Sequence, residues 1–495
     1  MPPHNLSYQE YKTMSKSLSE AAEQVHVAEI VYHGDQLLIP NGMSVDQAID
    51  MLDRRRSYLN EEVSISRTFN AFPWDGANAL AEALTAKFGW AAAEGTPGFF
   101  GKRPPRMITI EVGFGETRKI PWGRFSLPGI SGYIQTSAEH KDGRICFAIT
   151  GEVLRKDEAV VEGLLNELQE YLAVNSIYAG KAIKLRFRDD NGDLLEMPEP
   201  KFLQTDHISR DMLVYSKKIE DEIEHNLFTP ITRMADCIAN GIPVKRGVLL
   251  GGPYGTGKTM AATVASKLAV DAGITYVYVP HADELADAIE FAKQYNRTAC
   301  VIFCEDIDRA IAGERSVEMD DILNILDGID TKGSKIITVL TTNHLENINP
   351  AMLRPGRLDS IINVLPPDAE AVSRLFHLYG GSTIAADEDL SKAADLLSGT
   401  IPAVIAEVVK RAKLVQLGLQ EPGTKVENIT GEALYQSALS MQDQITLLAE
   451  QSKKKVVEPT FNEVIGGAVT AQLAPVISQI EEMQRVSLRL GKLIP

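Results

Sequence analysis

The stretch GVLLGGPYGTGKTMAATVASKLAV, residues 247–270, constrains this chain more than any other. A short apolar run, a glycine-rich bend, Lys-Thr and a helical pattern follow without a break, and Gly252 to Thr259 match G-x-x-x-x-G-K-T. Gly252, Gly255 and Gly257 allow backbone amides to turn inward around phosphate oxygens, because glycine reaches conformations closed to other residues. The amino terminus of the following helix adds positive potential. Lys258 is then expected at the β- and γ-phosphates and the Thr259 hydroxyl on Mg2+. A chance glycine bend before a helix is the bland reading. Motif and context agree, so the nucleotide contacts are expected over Gly252, Pro253, Tyr254, Gly255, Thr256, Gly257, Lys258, Thr259 and Met260.

Such a loop needs acids at the end of a neighbouring strand, to hold Mg2+ and polarise the attacking water. VIFCEDIDRA, residues 301–310, ends an apolar run in Glu305 and Asp306. A buried strand seldom carries two adjacent acids without a cation to receive them. A structural salt bridge is the alternative, and it leaves the nucleotide site without a metal carboxylate.

The 495 residues exceed what one hydrophobic core organises, and about three domains are expected. A hydrophobic share of 44% with 24% charged residues is that of a soluble globular protein. The formal charge of -17 argues against an overall nucleic-acid or anionic-membrane binder, with a local basic patch left open. No apolar run reaches membrane-spanning length and the first residues lack a secretory apolar core. Cys146, Cys237, Cys300 and Cys304 show no metal-ligand or disulfide spacing. A cytoplasmic protein with buried, reduced thiols is expected.

Residues 1–205 read as an α+β region. Ser44 and Gln47 form a capping-box pattern ahead of a helix whose face is marked by Val45, Ile49 and Leu52, with Arg54–Arg56 on a solvated side. MITIEV alternates as a strand, Asp142-Gly143 turns a hairpin, and Val160, Val161, Leu164, Leu165 and Leu168 mark the inner face of a helix over 157–173. KAIKLRF alternates, Asn191-Gly192 turns a further hairpin, and EMPEPKF (196–202) reads as a linker. From 206 the runs GVLL, TYVYV, CVIFC, KIITVLT and SIINVL alternate with helical patterns, which predicts a parallel sheet covered on both faces. Residues 367–450 are mostly helical, and a last helix is expected near Pro475–Leu490 after the basic run Lys453–Lys455.

Over about 208–450 the chain resembles the AAA ATPases. The residues that carry the resemblance are RGVLLGGPYGTGKT, VIFCEDID, ILNILDGID, VLTTNHLENINPAMLRPGRLD and LLSGTIPAVIAEV. It implies an α/β P-loop NTPase with a helical lid: 206–366 the large ATPase subdomain, 367–450 the lid, 451–495 a helical tail, and 1–205 a substrate- or adaptor-recognition region. It implies ATP and Mg2+ as ligands, Asn343 as the sensor orienting the hydrolytic water, and Arg354 and Arg357 as arginine fingers for a neighbouring subunit. Asp327-Gly328 corresponds to an inter-subunit signalling segment, and Gly399 sits where the lid meets adenine. On the family register Glu305 takes the metal position and Asp306 the water-polarising one.

Three departures stand out. Tyr254 replaces the usual proline. The acidic pair is Glu-Asp rather than Asp-Glu, an inversion typical of the mitochondrial AAA protein that translocates the folded Rieske subunit. VPHADELADAIEFAKQYNRTAC, residues 279–300, lacks the aromatic–glycine pore loop of threading members; its Phe291 and Tyr295 fall at i and i+4, as core residues do. The expectation is a homo-oligomeric, hexameric ATPase that remodels, moves or disassembles a protein partner. A nucleic-acid motor or loader, disfavoured by net acidity, and a nucleotide-gated scaffold with little turnover are the alternatives.

Overall fold

The computed structural model describes residues 30–442, apart from 34–35, 41, 91–92, 96, 99–100, 190–191, 194, 196, 199, 296–298, 308–334, 346–356 and 422. Arg354, Asp327-Gly328 and the expected helix near Pro475–Leu490 lie outside the described residues. Two compact units emerge, the first drawn from Met1–Ser209, His225–Leu250 and Ala262–Ile361, the second from Arg210–Glu224, Gly251–Ala261 and Ile362–Pro495.

In the first unit, helix α1 (Val45–Leu59) starts at the expected capping box, with Gln47 N donating to Ser44 Oγ at 3.2 Å and Ser44 N to Gln47 Oε1 at 2.9 Å. Its inner stripe differs from the expected one. Ala48 is buried and Leu52 half-buried, whereas Val45 and Ile49 are exposed, because the helix meets its neighbours along a single i,i+4 row. Strand β1 (Glu62–Phe69), helix α2 (Pro73–Phe88), the hairpin β2 (Met107–Gly113) and β3 (Glu116–Pro121), and strands β4 (Arg124–Phe125), β5 (Gly132–Lys141) and β6 (Arg144–Leu154) follow. Strands β1, β6, β5 and β4 pair in that order as an antiparallel sheet. Asp142 and Gly143 both take positive φ, 51° and 75°, the two-residue turn that matches strand twist. Helix α3 (Glu158–Val174) buries Val161, Leu164, Leu165 and Leu168 in the core beneath the sheet, and Val160 is exposed, one residue off that stripe. Helix α2 lies against the same core so closely that a Cβ on Gly76 would fall 2.1 Å from the Phe147 ring.

A second, mostly parallel sheet is assembled from β7 (Ala182–Lys184), β8 (Lys201–Phe202), β9 (Arg246–Gly251), β10 (Thr275–Val279), β11 (Cys300–Cys304), β12 (Ile336–Thr342) and β13 (Ser360–Asn363). Among the described residues the order is β8-β7-β10-β11-β12-β9-β13. All residues of β11 and β12 are buried, as expected for strands covered on both faces. The five apolar runs identified in the sequence are the strands β9 to β13.

Two strands at one end of this sheet, β7 and the edge strand β8, were not expected there. KAIK joins this sheet, parallel to β10, and the stretch read as a linker supplies β8, antiparallel to β7. Phe202 is buried and stacks on Tyr178 at 5.7 Å. Flanking prolines and a two-residue length leave such a strand almost no sequence signal. The hairpin between β7 and β8 forms, with Leu195 N donating to Phe187 O at 2.8 Å. Phe72, Tyr178 and Phe202 share one core cluster with Phe291 and Tyr295 at the end of helix α6 (Leu285–Gln294; α4 and α5 are Lys217–Ile223 and Lys258–Asp271). Phe291 and Tyr295 are core residues, as their spacing indicates. The four cysteines are buried thiols.

In the second unit, helices α7 (Ala369–Gly380), α8 (Ser391–Leu397), α9 (Pro402–Leu419) and α10 (Gly431–Leu439) close on a core of Val372, Phe376, Leu397, Ile405, Val408 and Leu434. Helix α4 is tied to α7 where Arg374 bonds Glu220 at 2.5 Å and the Tyr215 carbonyl. No described helix is long and apolar enough to cross a membrane.

Candidate nucleotide site

The phosphate loop leaves strand β9 at Gly251, and its three key glycines adopt positive φ: 141° at Gly252, 76° at Gly255 and 98° at Gly257. Two of them are needed for space as well. A Cβ on Gly252 would lie 2.3 Å from the Val364 carbonyl oxygen, and one on Gly257 would press the Tyr215 ring at 3.2 Å. Lys258 is buried, and its ammonium donates to the carbonyls of Gly252 at 2.7 Å and Pro253 at 2.9 Å. A cation curled over the loop's own carbonyls holds the bend in shape. Thr256, also buried, donates to the Pro253 carbonyl at 3.0 Å, while Tyr254, Thr259 and Met260 are exposed. The left-handed glycines at the start of α5 fit a polyphosphate, with Lys258 and Thr259 the residues that would hold it and its Mg2+.

One contributor was not anticipated. The Tyr215 hydroxyl donates to the Gly257 carbonyl at 2.7 Å, and burial pushes its phenol far above the ordinary range, so it stays a neutral donor. Nothing in the spacing of two residues 42 apart announces this bond. In the same unit Gly399 takes φ 79° and donates its amide to the Pro367 carbonyl at 2.9 Å, which fixes the turn ahead of α9.

The acidic pair belongs to the first unit. Strand β11 runs buried to Cys304 and ends in Glu305, half-buried, and Asp306, exposed. Asp306 takes φ 46°, a left-handed conformation that costs a non-glycine residue on the order of 1–2 kcal/mol. Three bonds to the neighbouring strand hold it. Asp306 N donates to Thr341 Oγ1 at 3.1 Å, Ile307 N to the Thr341 carbonyl at 3.0 Å, and Asn343 Nδ2 to Asp306 Oδ1 at 2.7 Å. Glu305 is held by a different strand, its Oε2 accepting from the Tyr278 hydroxyl at 2.8 Å. The two acids thus have separate anchors, and Asp306 and Asn343 are together.

Arg357 is half-buried, and its carbonyl oxygen would lie 2.2 Å from a Cβ on Gly247, so only glycine admits this approach. Asp359 closes the contact, its N donating to the Gly247 carbonyl at 2.8 Å and its Oδ2 accepting from Gly247 N at 2.9 Å.

The segment after β10 is tied down. Ala282–Glu284 forms one 3-10 turn, and Glu284, with 0% exposure, accepts at Oε1 from the amides of Arg188 at 2.9 Å and Phe187 at 3.3 Å. Arg188 also pairs with Asp283 at 3.2 Å. Burial raises the Glu284 carboxyl above its ordinary range and the two amides oppose that rise.

Residues 248–365 match the ATPase family associated with various cellular activities (AAA). This chain carries an AAA ATPase domain. A mostly parallel sheet flanked by helices and preceded by an α+β region is the fold class expected from the sequence, with β7 and β8 the unexpected additions to the sheet. Among relatives, the ATP-dependent zinc metalloprotease FtsH of Mycobacterium bovis is 32% identical over 221 residues, 40% of this chain and 28% of the relative. FtsH 4 of Synechocystis sp. is 26% identical over 254 residues, 47% of this chain and 40% of the relative. FtsH of Acaryochloris marina is 27% identical over 277 residues, 51% and 41% of the two chains. The chain spans less than half the length of each of these relatives. Their names include a zinc protease, whereas no H-E-x-x-H occurs in this sequence. The likeness therefore concerns the AAA domain.

Proposed function

We propose that this chain hydrolyses ATP as a subunit of a homo-oligomeric ring, hexameric in the working form, and uses the cycle to move, remodel or disassemble a protein partner in the cytoplasm. The observation that carries the reading is the glycine loop, with left-handed Gly252, Gly255 and Gly257 ahead of Lys258 and Thr259. Lys258 would neutralise the β- and γ-phosphates, and Thr259 and Glu305 are the residues that would hold Mg2+. When bound, the metal supplies charge neutralisation at the transferring phosphoryl group. Asp306 accepts the proton of the attacking water and Asn343 orients that water. Arg354 and Arg357 act on the neighbouring subunit's nucleotide, and Gly399 borders adenine.

The N-terminal α+β region selects the partner. The bonds from Glu284 and Asp283 to the 187–195 hairpin favour a partner handled while folded, because a gripping loop must reach the ring axis and this segment is fastened. The test is phosphate release from ATP by the full chain, paired with its mass in solution with and without nucleotide. Hydrolysis abolished by Lys258→Ala, together with a nucleotide-stabilised oligomer, supports the reading. Equal phosphate release by Lys258→Ala overturns it. The Asp306→Asn form, kept in its ATP state, is then the bait for capturing the partner.

A further inference from the structure

Strand β7 brings a residue of the N-terminal region to the tyrosine that binds Glu305. Lys184, the last residue of β7, pairs with Tyr278 across the parallel ladder, and Leu185 N closes the register on the Tyr278 carbonyl at 2.9 Å. On the other side of β10, Tyr278 pairs with Phe303 of β11. Successive strands in register present these three side chains on one face of the sheet. The Lys184 ammonium stands 5.5 Å from the centre of the Tyr278 ring, within cation–π range. Phe303 stacks on the same ring at 5.4 Å with an interplanar angle of 22°. A ring flanked in this way has one orientation, and in it the hydroxyl donates to Glu305 Oε2.

A glutamate at a strand end has three side-chain torsions to lose before it can act in a fixed direction. Binding one carboxylate oxygen to a rigid phenol removes most of that freedom in advance. Asp306 has no share in this anchor, since its own bonds run to Thr341 of β12 and to Asn343 just after it. The ring therefore acts on one acid of the pair alone.

We propose that Tyr278 is the positioning residue of Glu305, and that Lys184 couples it to the N-terminal region, making the Mg2+ affinity of the site answer to the strand that region inserts. The proposal rests on the reading of Glu305 as a metal ligand. Residues that orient a metal ligand through one hydrogen bond affect metal affinity by about 10- to 100-fold when removed. A cation–π contact at a partly exposed position is weaker, equivalent to about two- to fivefold.

The experiment uses the full chain with a fluorescent ADP analogue, titrating Mg2+ at fixed nucleotide and repeating the binding in EDTA. Tyr278→Phe keeps the ring and its stacking and removes only the hydroxyl. The expected result is a half-saturating Mg2+ concentration raised about 10-fold or more, unchanged nucleotide affinity in EDTA, and hydrolysis restored by excess Mg2+. Lys184→Met is expected to shift the same midpoint by about two- to fivefold. A Tyr278→Phe midpoint equal to wild type, with Lys258→Ala still abolishing nucleotide binding, overturns the inference and leaves the proposed function standing. If Glu305→Gln also titrates like wild type, the metal reading of Glu305 falls first. Should Tyr278→Phe not fold, Lys184→Met decides, and an unchanged midpoint there overturns the coupling.

Discussion

Asn343 donates its side-chain amide to Asp306 Oδ1 at 2.7 Å, joining the carboxyl ends of two adjacent parallel strands. The bond depends on the left-handed backbone of Asp306, which turns its carboxylate toward β12. Glu305, one residue earlier, is bound to the opposite neighbour through Tyr278. Two adjacent acids are thereby given different hydrogen-bond partners, which suits the proposed division between metal binding and base catalysis.

The first prediction separates those roles. Asp306→Asn is expected to bind ATP with Mg2+ normally and to hydrolyse it about 100-fold more slowly or worse, the usual loss for a general base. Glu305→Gln is expected to raise the Mg2+ requirement more than it lowers the rate at saturating Mg2+. Phosphate release measured against Mg2+ concentration distinguishes them, and full turnover by Asp306→Asn would reverse the assignment.

Hydrolysis is expected to need a neighbouring subunit. Arg354→Ala and Lys258→Ala proteins, each inactive alone, should regain activity when mixed, at those junctions where an intact phosphate loop meets an intact arginine. An arginine supplied in trans contributes about 10³- to 10⁵-fold, so even a minority of mixed junctions is measurable. Activity per subunit should also rise with protein concentration. A demonstrably monomeric sample with the same specific activity would exclude the mechanism.

The fastened segment after β10 bears on how a partner is handled. A stably folded fluorescent protein fused to a captured partner is expected to keep its fluorescence through repeated ATP turnover, since Glu284 holds the 280–284 segment to Phe187 and Arg188. Sustained loss of fluorescence that disappears with Lys258→Ala would mean global unfolding by some other loop.

Stability should carry the signature of Asp75. This carboxyl lies in the shared core, and burial raises it from 3.8 to about 6, opposed by hydrogen bonds from Ser176, Ile177 N and Tyr295. The folded chain holds that proton more tightly than the unfolded chain does. The resulting stabilisation is complete below about pH 4 and is lost as the pH rises through about 6. A shift of this size corresponds to about 3 kcal/mol. The wild type should therefore lose stability relative to Asp75→Asn between pH 4 and pH 7, as read from urea midpoints at each pH. Parallel pH profiles for the two proteins would refute this.

Several features were legible because their causes are local. The capping box of Ser44 and Gln47 acts over three residues, and the turn at Asp142-Gly143 over two. The glycine loop is written in a span of eight residues, Gly252 to Thr259. Buried strands such as CVIFC declare themselves because both faces must be apolar. The residues themselves therefore determined the AAA resemblance, the phosphate loop and the acids at a strand end.

Tertiary structure alone decided which neighbours those residues have. Tyr215 and Gly257 are 42 positions apart, Tyr278 and Glu305 27, and Arg188 and Glu284 96. No periodicity links such pairs, because each bond depends on which strand or loop comes to lie alongside another. Strand β8, two residues beside prolines, is a strand only because the edge of β7 is there to receive it. The left-handed turn at Asp306 is likewise held by Thr341 and Asn343, which are 35 and 37 positions away.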